Sequence, residues 1–194
     1  MKIFQRIQKI ALYFSLSLCF ALPTLAHSVN WQTYQNAEYG YSIEFPDTWQ
    51  VIELEHRTED TPRGTVHLLM EGQLQGATFL TGDDPLAVGT LEVRVVSNPK
   101  NLDIAPWAEE TFVDAFDSSL AYDFEPDTLG GKPATRFTVF EFDQTGAVIA
   151  AMVEDRIYYV HFASSNPNDA DFEEHKKIYA HMVSSFRFIA GDDE

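Results

Sequence analysis

Asp171 and His175 stand at i and i+4 in a stretch with helical patterning. On a helix that spacing puts a carboxylate and an imidazole on one face, where the two could hold a cation between them. They are the metal-ligand candidates. His175 and His181 do not share this spacing, and His56, His67 and His161 read as hydrogen-bonded core or surface histidines. His161 falls on a strand face with Tyr159, and the final helix is expected to pack over it. His27 is followed by Ser28 and Val29, so an amino terminus there lacks the neighbouring histidine needed to capture copper or nickel. Asp123-Phe124-Glu125-Pro126-Asp127 alternates like the start of a calcium loop. Thr128 and Ala134 stand where that loop needs glycine and glutamate, so a solvated acidic turn is expected.

Catalytic signatures are missing from the sequence. It has no G-x-S-x-G elbow, no dinucleotide fingerprint and no H-E-x-x-H. Gly131-Lys132 lacks the upstream glycine of a phosphate loop, and Pro133 replaces its Ser or Thr. No catalytic or cofactor-binding residue is therefore assigned, and the expectation is a protein that is not an enzyme and carries no cofactor.

The chain has 194 residues, a formal net charge of −17 and one cysteine. Lys2, Arg6 and Lys9 precede an apolar run from Ile10 to Leu22, too short to span a bilayer comfortably. Pro23 breaks the run, and Thr24-Leu25-Ala26 fits a signal-peptidase site. Residues 1–26 thus read as a cleaved signal peptide, residues 27–189 as one domain and residues 190–194 as an acidic tail. Cys19 raises the competing reading of a lipoprotein, but Leu18 stands where a small residue is expected. Cleavage leaves 10 basic against 30 acidic side chains, a balance of −20, and no thiol. A cysteine-free exported chain suits the oxidising bacterial periplasm, or secretion. The charge opposes nucleic acid and anionic membranes, and nothing predicts stable membrane insertion after cleavage. It favours solubility, cations or a basic partner.

Tyr39 to Trp49 organises the rest. Tyr41, Ile43 and Phe45 alternate with Ser42 and Glu44, the period-two signal of a half-buried strand. Gly40 opens the strand, Pro46-Asp47-Thr48 closes it, and Trp49 anchors the next, so a hairpin is expected. Trp31–Tyr34, Gln50–Glu55, Thr65–Met70, Thr90–Ser97, Thr135–Phe142, Ala147–Glu154 and Arg156–Ala163 read as further strands. Glu71–Gly89, with its glycines, reads as a mobile excursion holding at most a short strand at Ala77–Leu80. Ile104, Ala108, Phe112, Phe116 and Leu120 form the stripe of a helix over Pro106–Leu120. A second helix is expected from Pro167 to Phe186, capped by Asn166. Tyr158 and Val160 oppose Ile157 and Tyr159, so this strand is apolar on both faces and both must be covered.

Tyr39-Gly40-Tyr41 leading to Phe45-Pro46-Asp47-Thr48-Trp49 resembles the opening of the PsbP-like proteins. Gly131-Lys132-Pro133-Ala134 before a strand pair, and Ile157-Tyr158-Tyr159-Val160 before an acidic helix and Ser184-Ser185-Phe186-Arg187-Phe188, resemble them too. The resemblance spans Trp31 to Phe188. It implies an α+β fold, an antiparallel β-sheet sandwiched between helices (α/β/α). Plant members are accessory subunits that stabilise the oxygen-evolving centre of photosystem II. Bacterial members are exported proteins or lipoproteins, and a fold relative binds a small GTPase. The resemblance therefore implies a binding or accessory role through a protein surface, towards an unspecified protein partner. The alternative is a periplasmic cation-binding or sensing protein.

Overall fold

The structure, a computed structural model, describes residues 29–56, 68–69, 72–81, 91–113, 120–141, 144–164 and 172–189. In chain order the elements are β1 (Trp31–Asn36), β2 (Tyr41–Pro46), β3 (Trp49–Glu53), β4 (Glu55–His56), β5 (Leu68–Leu69), β6 (Gln73–Thr81) and β7 (Leu91–Ser97). There follow α1 (Ile104–Ala108), a π-helical turn (Glu109–Val113), β8 (Leu120–Leu129), β9 (Lys132–Glu141), β10 (Gln144–Val153), β11 (Arg156–Ser164), α2 (Phe172–Ser185) and β12 (Arg187–Phe188).

Seven strands form one antiparallel sheet in the order β3-β6-β7-β11-β10-β9-β8. A second, three-stranded antiparallel sheet runs β1-β2-β12. The expected alternation holds: Tyr41 and Ile43 are fully buried and Phe45 is 5% exposed. The expected hairpin does not form. β2 pairs with β1 and β12, whereas β3 pairs with β6, so Asp47 and Thr48 carry the chain across a corner between sheets. Trp49 begins β3 in the same core.

β11 is buried on both sides, and its alternate residues enter two separate cores. Tyr158 and Val160 join Tyr41, Ile43, Phe79, Val93, Met182 and Phe186. Ile157 and Tyr159 join Trp107, Phe112, Phe137 and Val148. The first face of the large sheet is covered by the small sheet together with α2. The second is packed by α1 and its π turn. The described residues thus form two packed antiparallel sheets together with two short helices.

Other expectations are corrected. Gln73–Thr81 is no excursion: it is a nine-residue strand lying between β3 and β7, with Ala77 and Phe79 fully buried. Its glycines suggested a break, but a Cβ at Gly76 would stand 2.6 Å from Leu54 Cδ1 and 2.8 Å from Arg94 Cδ. Glycine there admits side chains crossing the strand. The first helix gives way to the π turn, and the chain is a β-strand again at Leu120. Trp107 and Phe112 meet edge to face at 5.9 Å. The acidic run Asp123–Asp127, expected as a turn, lies in β8, paired with β9. Asn166, Pro167, Thr65–His67, residues 82–89 and the tail at 190–194 lie outside the described residues.

His161 is also corrected. It sits on the α1 side of the sheet, 6.5 Å from the Phe112 ring, because α2 reaches β11 from the other side, stacking Tyr179 on Phe162. A Cβ on Gly146 would collide with the imidazole. Desolvation pushes the His161 pKa down; Glu92 opposes the shift and Arg94 adds to it. A histidine held neutral in the fold but free to protonate when unfolded stabilises the fold fully above its unfolded pKa of about 6.5. That contribution is lost as pH falls from there towards the lower folded-state value. Urea titrations from pH 7.5 to 5 should show stability falling over this window, and His161→Gln should flatten the fall.

Candidate functional site

The outer face of the small sheet and the end of α2 enclose a cleft of about 360 Å³. β1 and β2 pair with Thr33 opposite Glu44 and Trp31 opposite Pro46. Because Tyr41, Ile43 and Phe45 point into the core, Ser42 and Glu44 must point out. α2 buries Ile178, Met182 and Phe186, which turns His181, Ser184 and Ser185 towards the rim. Thr33, Ser42, Ile43, Glu44, His181, Ser184, Ser185 and Arg187 line the space.

The groups in the cleft hold one another. His181 Nε2 lies 2.8 Å from Glu44 Oε2, and the imidazole stacks on the Trp31 indole at 3.7 Å. Ser184 Oγ donates to the His181 carbonyl (2.8 Å) and Ser185 Oγ to that of Met182 (2.7 Å). Ser185 Oγ also accepts from the Glu44 N–H at 3.0 Å. That N–H lies on the side of β2 that β12 is too short to reach, so the hydroxyl supplies the missing ladder partner. Arg187 Nη1 donates to the carbonyls of Ser184 and Phe186, both at 2.7 Å, closing the helix end with a cation where the dipole favours one.

Both serine hydroxyls donate to backbone carbonyls, and His181 Nε2 faces a carboxylate, so neither serine is poised as a nucleophile beside a base. Glu44 is 45% and His181 38% exposed at the side chain, leaving acceptor and donor capacity for a ligand.

The residues singled out in the sequence lie elsewhere. Asp171 is outside the described residues, so its pairing with His175 stays a sequence expectation. His175 meets the Trp49 ring edge-on at 5.9 Å, and its Nδ1 is buried without a hydrogen-bond partner. His56 is exposed at the end of β4; His27 and His67 are outside the described residues. Among the described residues no three His, Cys, Asp or Glu side chains gather as metal ligands. Asp123 to Asp127 is not a turn but part of the edge strand β8, where Arg136 pairs with Glu125 (3.3 Å) and Asp127 (3.8 Å). The strand lays Glu125 and Asp127 along β9 instead of wrapping them around an ion.

Sequence reading missed the Glu44–His181–Trp31 group. Glu44 and His181 are 137 positions apart, and the one local signal was the polar side of the β2 alternation.

Two antiparallel sheets, two short helices and an open polar cleft at the end of the last helix define an α+β domain with a PsbP-like fold. The solution structure of cyanobacterial PsbP (CyanoP) from Synechocystis is similar to it, with a TM-score of 0.52 and 12% identity over 84% of this chain and 95% of that one. A Bacteroides thetaiotaomicron structure (TM-score 0.44, 12% identity) matches 84% of this chain and 50% of its own. LpqN, involved in cell envelope biogenesis of Mycobacterium tuberculosis (TM-score 0.41, 11% identity), matches 84% of this chain and 88% of its own. No protein-family model matches the chain, and no curated protein matches it in sequence. At 12% identity, what the chain shares with cyanobacterial PsbP is the fold.

Ser185→Ala should cost about 1 kcal/mol in chemical denaturation, because it leaves the Glu44 N–H without its partner. Glu44→Gln, which touches only a half-exposed pair, should change stability by less than about 1 kcal/mol.

Proposed function

We propose that this is an exported, non-enzymatic binding or accessory protein of the bacterial periplasm, acting through the surface around the Glu44–His181 cleft. The observation that carries this reading is the state of the cleft's polar groups. They are fixed by one another and by backbone, in an open depression, as recognition requires. The PsbP-like fold supports it, since that fold includes the accessory protein PsbP. In the same reading the helices act as the two covers of the large sheet, α2 with the small sheet on one face and α1 on the other. The leader-like residues 1–26 support export. Among the described residues no helix is long and apolar enough to cross a membrane.

One observation favours the cation reading as a second choice: the buried, unpartnered Nδ1 of His175. Calorimetry with zinc, copper, calcium and manganese separates the two. Saturable binding lost in His175→Ala would favour the cation reading, and flat titrations would remove it.

The surface reading is tested by photo-crosslinking in cells. Probes at Thr33 and Ser184 should capture the same protein, and a probe at Glu125 on β8 should not. Failure to trap a reproducible partner from the cleft across growth conditions would overturn it.

A further inference from the structure

β1 ends the small sheet, and among the described residues no strand pairs with its outer side. The Asp47 N–H donates to the Asn30 carbonyl at 3.0 Å, which sets the phase of the β1–β2 ladder. Bonded and non-bonded pairs alternate in an antiparallel ladder. Gln32, Tyr34 and Asn36 therefore direct their backbone groups to β2, while Trp31, Thr33 and Gln35 direct theirs outward. The Glu44 N–H supports this phase. Opposite Thr33, it points away from β1 and reaches Ser185 Oγ.

An unpaired edge is normally guarded by charge, proline or a bulge. β8, an edge of the large sheet, has all three: a register shift between Tyr122 and Glu125, Asp123 at φ 58°, Pro126 and three carboxylates. β1 has none. Its residues, Trp-Gln-Thr-Tyr-Gln-Asn, carry no charge, proline or glycine, and its ladder with β2 is unbroken. Carboxylates flank it on both faces. Glu44 stands opposite Thr33 on the cleft face. On the other face Tyr34 donates its hydroxyl to Glu53 Oε1 at 2.8 Å. The chain as a whole carries −17, which repels a second copy and attracts a cationic segment.

We propose that β1 is a docking edge for an extended, lysine- or arginine-bearing segment of a partner protein. The segment adds as a fourth strand to β1-β2-β12. Its backbone bonds to Trp31, Thr33 and Gln35, and its basic side chains lie on the face of Thr33, over the cleft and beside Glu44. Strand addition gives affinity through the main chain and specificity through alternate side chains. This rests on the surface-binding reading above and names the partner's chemistry.

The test uses the whole protein and fluorescent eight-residue peptides that alternate lysine with threonine and valine. Controls replace lysine by glutamate, or methylate alternate backbone nitrogens in either of the two registers. The basic peptide should bind and weaken with added salt. Methylation in one register should cost at least tenfold, about 1.4 kcal/mol, and methylation in the other much less. Gln35→Pro removes an outward N–H and leaves the β2 ladder intact, so it should weaken binding with the circular dichroism unchanged; Glu44→Gln should weaken it severalfold. Three results would overturn the proposal: no binding of the basic peptide at millimolar concentration, equal binding of the basic peptide and both methylated forms, or a dimer that Gln35→Pro dissolves. A partner crosslinked equally well to the Gln35→Pro protein would refute strand addition and leave the surface reading standing. Loss of every crosslink from the cleft in the unaltered protein would refute the surface reading itself.

Discussion

The small sheet, α2 and the large sheet meet at Tyr41. Its ring stacks on Phe186 with centroids 5.4 Å apart and planes 9° from parallel, and it meets Tyr158 of β11 edge-on at 6.4 Å. Phe188 then packs edge-on against both Phe186 and Tyr158. Three elements distant in sequence are thus held by one cluster of aromatic rings. Truncating a buried aromatic ring of this kind costs about 3–5 kcal/mol, a large part of the stability of a domain. The hydroxyl adds direction. It donates to Gln75 Oε1 at 2.8 Å, across the interface between sheets, and burial pushes its pKa upward, so it remains a donor at any physiological pH. Gln75 in turn donates to the Tyr34 hydroxyl at 3.4 Å. A satisfied polar pair in an apolar interface fixes the register of one sheet on the other, since a shift would leave buried groups unpaired.

The cleft is a consequence of that joint. With Phe186 and Met182 fully buried, the last turn of α2 has no freedom to rotate, and His181 and Ser185 are presented to β2 at fixed distances. The backbone is tied down at the same point. Gly40, at φ 64°, passes so close to the Ile189 carbonyl that a Cβ would come within 3.1 Å of it, and the Ile189 N–H bonds back to the Gly40 carbonyl at 2.9 Å. The glycine that turns the chain into β2 thereby also receives the chain leaving β12. Side chains mounted on elements this constrained have little conformational freedom left to lose.

The two faces of the large sheet are specialised. The face towards Tyr41 carries the joint and leads to the cleft. The opposite face is an aromatic packing surface, where Trp107, Phe112 and Tyr159 lie within 5.5–6.0 Å of one another. Glu92 and Arg94 lie beyond it, paired at 2.9 Å with little exposure, and Arg94 also donates to Gln73. Both are mostly covered, and they are tolerated because each charge has a partner.

The local pattern alone determined most of the strands. Alternation of Tyr41, Ile43 and Phe45, the two-faced apolar run of Ile157 to Phe162 and the short Glu154-Asp155 connection reflect geometry that repeats every two residues, so they are legible wherever they occur. The PsbP-like order of motifs was legible for the same reason, because it rests on turns and on the aromatic residues beside them. Tertiary structure decided the rest. Trp49 follows β2 by a short turn yet belongs to the other sheet, since strand pairing depends on which edge is free and not on sequence proximity. The stripe from Ile104 to Leu120 satisfied a helical period, but pairing with β9 drew its last residue into a strand, where the backbone hydrogen bonds of a ten-residue ladder outweigh propensity. Glu44, His181 and Trp31 became a site only when the burial of Tyr41 against Phe186 brought the end of the chain back onto its beginning, and no spacing along the sequence encodes such a long-range contact.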